Sequence, residues 1–148
     1  MLPRDFTEEQ KMFRDAYRKF LASEIVPHME AWREAGIVDR EAFRKAGDQG
    51  FLMVWPDEKY GGLGDYDIRY DQIIIEETSY ARCGDWFANL HGRLVAPYFH
   101  RFGSEEQCMR FLPKCVSGES ILAIACLLYT SPSPRDLNPN LGCRLVRV

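Results

Sequence analysis

Long apolar runs are missing from this 148-residue chain. A membrane-spanning helix needs about 18 or more consecutive apolar residues, so none is expected. The opening residues, Met-Leu-Pro-Arg-Asp-Phe, carry no apolar signal segment. Lysine and arginine form no cluster, and the formal net charge is −3, which argues against a nucleic-acid surface. Cys83, Cys108, Cys115, Cys126 and Cys143 show no C-x-x-C spacing and no zinc pattern with the three histidines. Free thiols in a reducing compartment are therefore expected, and with them a cytoplasmic location. No internal repeat is visible. The glycines of Tyr60-Gly-Gly-Leu-Gly lack both G-x-G-x-x-G spacing and a Gly-Lys-Ser/Thr ending, so they read as a turn and not as a phosphate cradle.

What the chain has is core material, with 46% hydrophobic and 13% aromatic residues, too apolar for a disordered chain. Residues 47–64 organise it. Gly50 is suited to close a helix in the left-handed conformation. Phe51-Leu-Met-Val-Trp55 is too short for a helix and too apolar for a surface loop, so a buried extended crossing is expected. Pro56 ends it, and Gly61, Gly62 and Gly64 allow a sharp turn.

On either side of this crossing the patterns are helical. Thr7-Glu-Glu-Gln10 is a capping box, followed by Phe13, Tyr17, Phe20, Leu21 and Ile25 at helical spacing. Arg14, Lys19 and Glu24 fall outside that stripe. Pro27 predicts a kink, and the helix resumes over 28–35 with Trp32 as anchor and Gly36 as stop. A helix over 39–48 buries Ala42, Phe43 and Ala46, with Glu41 and Lys45 spaced as an ion pair. A helix over 67–82 is expected to bury Ile68, Gln72, Ile75 and Ser79, widened by Ile74 and Tyr80. A helix over 85–102 carries Trp86, Phe87, Leu90 and Leu94 as one stripe, with Ala88 and Gly92 allowing close approach and Pro97 disturbing its last turns. Ser104-Glu-Glu-Gln107 is a second capping box, opening a short helix expected to end before Pro113. Ile121-Leu-Ala-Ile-Ala125 reads as the first buried strand of a further unit.

At Cys126 the pattern stops. Residues 126–136, Cys-Leu-Leu-Tyr-Thr-Ser-Pro-Ser-Pro-Arg-Asp, have no helical or strand period. All eleven equal the translation of a transposon-end sequencing adaptor. Residues 126–148 are therefore expected to be a non-native, poorly packed tail and are set aside from fold reasoning.

Several stretches stand in the order and spacing of a known family. They are Phe6-Thr-Glu-Glu-Gln, Val26-Pro-His, Trp32-Arg-Glu-Ala-Gly, Gln49-Gly-Phe-Leu, Tyr60-Gly-Gly-Leu-Gly, Glu76-Glu, Gly103-Ser-Glu-Glu-Gln and Gly118-Glu-Ser-Ile-Leu-Ala-Ile-Ala. Residues 5–125 thus resemble the N-terminal domain of acyl-CoA dehydrogenases, the long-chain type most of all. The resemblance implies an all-α domain over 1–117 and the first strand of a truncated middle domain over 118–125, before the tail already set aside. It implies FAD as cofactor, α,β-dehydrogenation of acyl-CoA thioesters to trans-2-enoyl-CoA in fatty-acid oxidation, an electron-transferring flavoprotein as partner, and a homo-oligomer. The family's strand runs into a Thr-Glu-Pro-x-x-Gly-Ser-Asp loop that meets flavin and substrate. Cys126 stands where that loop would begin, and the catalytic glutamate lies further on. The fragment alone is therefore expected to be inactive, and no catalytic residue is assigned within it.

Each candidate residue has two readings. By spacing alone Trp86, Phe87, Leu90 and Leu94 are helix core; the resemblance implies that their helix lines the acyl-tail cavity. Ile124 and Ala125 read as a buried strand end, or by resemblance as backbone contacts to FAD. Glu76 and Glu77 point about 100° apart on a helix and so cannot face each other as an acid–base pair; they read as surface or interdomain contacts. His91 has no partner cysteine or carboxylate at a useful spacing, and Cys83, Cys108 and Cys115 read as small buried or surface residues and not as nucleophiles. Two rivals remain at this point: a related flavoenzyme of the acyl-CoA oxidase or nitroalkane oxidase type, and a non-enzymatic helical binding module.

Overall fold

The computed structural model describes residues 5–124. Six α-helices lie among them: α1 (Glu8–Phe20), α2 (Met29–Ala35), α3 (Arg40–Asp48), α4 (Ile68–Tyr80), α5 (Ala96–Phe102) and α6 (Glu105–Val116). No strand occurs among the described residues, in line with an all-α domain. Tail residues 126–148 lie outside the described residues.

Both capping boxes form. Thr7 Oγ1 accepts from the Gln10 N–H at 3.2 Å while Gln10 Oε1 accepts from the Thr7 N–H at 3.1 Å. Ser104 and Gln107 repeat the arrangement at the start of α6. Asp39 and Asp67 cap α3 and α4. Gln10 is itself buried, and its Nε2 donates to Asp67 Oδ2 at 2.9 Å, tying the start of α1 to the start of α4.

Two prolines act through the same device. The chain widens into a π turn at Leu21–Ile25, directly before the pair Val26-Pro27. It does so again at Leu90–Val95, directly before Ala96-Pro97. Proline lacks a donor and its ring crowds the carbonyl four residues back, so a widened turn upstream relieves a helix that continues through it. The expected kinks are thus local expansions. Pro113, expected to stop α6, lies inside it. The carbonyl that loses its partner belongs to Met109, which is exposed, whereas burying Leu112, Cys115 and Val116 draws the helix onward.

Residues 51–55 are buried as expected, each no more than 6% exposed. Gly50 is left-handed (φ 73°), and the Phe51 N–H returns to the Ala46 carbonyl at 2.8 Å. The Phe51 ring then receives the α1 stripe, with centroid distances of 5.4 Å to Phe13, 5.1 Å to Tyr17 and 5.3 Å to Phe20. At the other end of the crossing, Trp55 Nε1 donates to the Gly92 carbonyl at 2.8 Å. A Cβ on Gly92 would stand 2.1 Å from the Leu52 carbonyl oxygen, so only glycine fits that crossing.

The α4 face differs from the expectation. Tyr70, Ile73, Ile74 and Glu77 are buried, whereas Ile68, Ile75 and Tyr80 are exposed. Apolar residues surround this helix, so spacing alone does not select the face that α1 covers. Nor is Glu77 a surface group. Glu77 is 3% exposed and accepts from Arg14 Nε at 2.7 Å and Arg18 Nε at 2.8 Å, while Glu76 meets Arg14 Nη2. The Arg18 guanidinium, with Arg14, holds the Glu77 carboxyl below its ordinary range against the opposing effect of burial. Lys45 also departs from its expected partner: it reaches Glu24 at 2.6 Å, and Glu41 turns instead toward Arg44 at 3.9 Å.

Candidate functional site

The expected helix over 85–102 starts later than its sequence suggests. Trp86 and Phe87 precede the helical turns, and the π turn at Leu90–Val95 changes the angular spacing that follows. The four predicted residues consequently do not share one core stripe. Trp86 is buried (2% exposed), Leu90 is half-buried, and Phe87 and Leu94 are 57% and 50% exposed. Besides Trp86, the buried residues of this segment are Ala88, His91, Gly92, Val95 and Ala96.

Trp86, Phe87, Leu90 and Leu94 nevertheless line a single cleft of about 410 Å³. Its opposite wall is α4, through Asp71, Ile75, Thr78 and Ser79. The face of α4 expected to be core is thus partly a cleft wall. The two walls run antiparallel. Gly84 closes the turn end, and at the other end Arg93 Nε meets Asp71 Oδ2 at 3.1 Å. Eight residues of α4 separate Asp71 from Ser79, about 12 Å at about 1.5 Å per residue. Burial raises the Asp71 carboxyl, and Arg93 opposes that shift. Below the cleft, Thr78 Oγ1 and the Tyr17 hydroxyl lie 3.0 Å apart; burial pushes that hydroxyl up to about 12, so it stays neutral. Trp86, Phe87, Leu90, Leu94 and Ile75 give the cleft an apolar strip, and Asp71, Thr78, Ser79, Asn89 and Arg93 line the rest of it.

Phe87 also borders a larger hollow of about 640 Å³ formed with Met29, Trp32, Ile37 and Val38. That hollow carries the exposed Arg33–Asp85 pair and includes only Phe87 of the four, so the smaller cleft is the better-built site.

Of the two residues expected near a cofactor, Ile124 is half-buried at the end of the described chain, and Ala125 lies outside the described residues. Residues 121–124 form no strand. A strand needs a neighbour for its N–H and C=O groups, and none stands beside it among the described residues. The Leu122 N–H instead donates to His91 Nδ1 at 2.9 Å. Exposed Ala123 and half-buried Ile124 are the last described residues at that end. No described Cys, His or acidic residues group as metal ligands. Cys115 is pushed up to about 12 by burial and Cys83 is also raised, so neither thiol is activated.

The profile of the acyl-CoA dehydrogenase N-terminal domain matches residues 7–119. The chain belongs to the acyl-CoA dehydrogenase family. Within that family it is 41% identical over 122 residues to the mitochondrial long-chain specific acyl-CoA dehydrogenase of Sus scrofa, covering 82% of this chain but 28% of that protein. The fold is similar to a crystal structure of acyl-CoA dehydrogenase from Geobacillus kaustophilus, at 45% identity and TM-score 0.77, over 83% of this chain and 32% of that one. It is also similar to a Bacillus anthracis acyl-CoA dehydrogenase complexed with FAD, at 27% identity and TM-score 0.68, over 82% and 21%. The chain thus spans under a third of the length of these relatives.

No helix among the described residues is long and apolar enough to cross a membrane.

Proposed function

We propose that this chain supplies the acyl-tail wall of an FAD-dependent acyl-CoA dehydrogenase that oxidises acyl-CoA thioesters to trans-2-enoyl-CoA. The observation that carries the reading is the cleft between α4 and residues 86–94, where Trp86, Phe87, Leu90 and Leu94 face Ile75 in a domain of this family. In the whole enzyme a bound FAD would supply the hydride acceptor. This chain's residues do something simpler: Phe87, Leu90 and Leu94 exclude water and orient the tail, so that binding energy gained far from the reacting carbons positions them. Trp86 and Thr78 form the buried back of the slot. The chain's residues offer FAD only the 121–124 edge, so no chemical step is assigned to them. An electron-transferring flavoprotein as electron acceptor, a homo-oligomeric assembly and a cytoplasmic location follow from the sequence reading and stand as parts of this proposal. The mitochondrial relative makes that compartment the alternative to test.

The test has two arms. Purified residues 1–148 titrated with FAD should show no bound flavin spectrum and no acyl-CoA-dependent dye reduction, because one edge cannot repay the lost freedom of the cofactor. In the uninterrupted enzyme, Leu90→Trp should lower kcat/KM for long acyl-CoA more than for short. A stoichiometric yellow complex with the fragment, or equal loss for both chain lengths, contradicts the reading.

A further inference from the structure

His91 is fully buried, and the proposed reaction does not use it. Its two ring nitrogens bind two different parts of the chain. Nδ1 faces the Leu122 N–H at 2.9 Å, and Nε2 faces the Cys115 carbonyl oxygen at 3.0 Å. A backbone N–H only donates and a carbonyl only accepts. Nδ1 must therefore be the unprotonated nitrogen and Nε2 must carry the hydrogen. The opposite tautomer would set two donors together at Leu122 and two acceptors together at Cys115. The Phe43 ring packs edge-on at 6.2 Å, and burial holds the imidazole below its ordinary pKa, both consistent with a neutral ring.

The placement of these partners gives the ring its meaning. His91 sits in the π turn at Leu90–Val95, between Leu90 and Leu94 of the cleft wall. Cys115 is in the last turn of α6, and Leu122 is in the segment that leaves it. Ser120 N–H returns to the Lys114 carbonyl at 2.9 Å, so the bond to His91 is the next polar anchor after that turn.

We propose that His91, as the neutral Nε2–H tautomer, is a positioning residue that fixes segment 121–124 against the cleft wall. It is a joint between the wall that would hold an acyl tail and the segment that leads away from the helical domain. This rests on the acyl reading only for its consequence, that the joint sets the spacing between tail and flavin edge. The bond itself exists in the chain without ligand.

The test therefore uses ligand-free residues 1–148 and two variants. Asn places an acceptor near the position of Nδ1 and keeps a partner for Leu122; Phe keeps ring volume and removes both bonds. ¹⁵N NMR at neutral pH should show His91 protonated on Nε2. Amide exchange at Leu122 should accelerate about tenfold or more in His91→Phe, the loss of one buried hydrogen bond, and stay within about threefold of wild type in His91→Asn. Equal acceleration in both variants, or slow exchange retained in His91→Phe, would reduce His91 to a space-filling residue and overturn the proposal. So would an Nδ1–H tautomer, which is read on wild type even if the Phe variant fails to fold. Because no acyl-CoA or flavin is present, failure of the acyl reading leaves these results unchanged.

Discussion

Two sides of helix α4 have opposite fates. On one side Tyr70, Ile73 and Ile74 are sealed under α1, and Glu77 is clamped there by Arg14 and Arg18. On the other, Ile75 faces Phe87, Leu90 and Leu94 across a cleft, and Ile75, Phe87 and Leu94 are each about half exposed or more. Isoleucine stands on both sides, beside Tyr70 on one and beside Asp71, Thr78 and Ser79 on the other. What separates them is what covers each one. The α1 side receives an aromatic stripe that converges on Phe51, and a buried carboxylate whose two guanidinium partners fix the register. The cleft side is faced by a segment that turns Trp86, Ala88, His91, Gly92 and Val95 inward and leaves Phe87 and Leu94 outward. The same residue types thus make a core where they are locked and a slot where they are not.

The sharpest way to break this contrast is at two adjacent residues. Trp86→Ala removes a buried ring packed 4.6 Å from Phe43 and should cost about 3–5 kcal/mol. Phe87→Ala, one residue on, should stay within about 0.5 kcal/mol, because its ring is mostly exposed. Thermal or denaturant unfolding of the two variants checks this, and similar losses would mean that both belong to the core.

Next in size is the lock on the sealed side. Glu77→Ala leaves Arg14 facing a buried, empty site and should cost about 2–4 kcal/mol, less than a fully enclosed pair because Arg18 is open to solvent. Asp71→Ala on the cleft side should cost less, about 0–1 kcal/mol, since Arg93 can turn to water.

Acid should separate two groups. His91 is held below its ordinary value of about 6.5, so on acidification the unfolded chain takes up a proton that the folded chain refuses, and stability begins to fall below that pH. Glu77 is held below the ordinary glutamate value of about 4.3, so its contribution is present above that pH and is lost as pH falls further. Cys115 beside His91 stays neutral throughout this range. Melting temperature against pH should therefore decline in two stages, and His91→Phe should remove the first.

Much of this was legible in the sequence. The capping boxes, the α1 stripe, the buried crossing at 51–55 and the family resemblance rest on local signals, such as a Thr three residues before a Gln or an apolar run closed by Pro56. What was not legible needed the third dimension. The covered face of α4 depends on where Arg14 and Arg18 arrive from another helix. The π turn before Pro97 shifts the angles of Leu90 and Leu94, so that a stripe read at regular helical spacing splits into one buried residue, one half-buried and two exposed. His91 gave no spacing signal at all, because its partners are backbone groups 24 and 31 residues away.

The smallest expected change in stability carries the most information about function. Leu94 is half exposed, so Leu94→Trp fills cleft space without overpacking a core, and its unfolding should stay within about 0.5 kcal/mol of wild type. In the uninterrupted enzyme, the ratio of kcat/KM for a long acyl-CoA to that for a short one should fall about tenfold or more in this variant, with the short substrate little affected. An unchanged ratio, with both substrates retained or both lost together, would mean that the cleft between α4 and residues 86–94 holds no acyl tail.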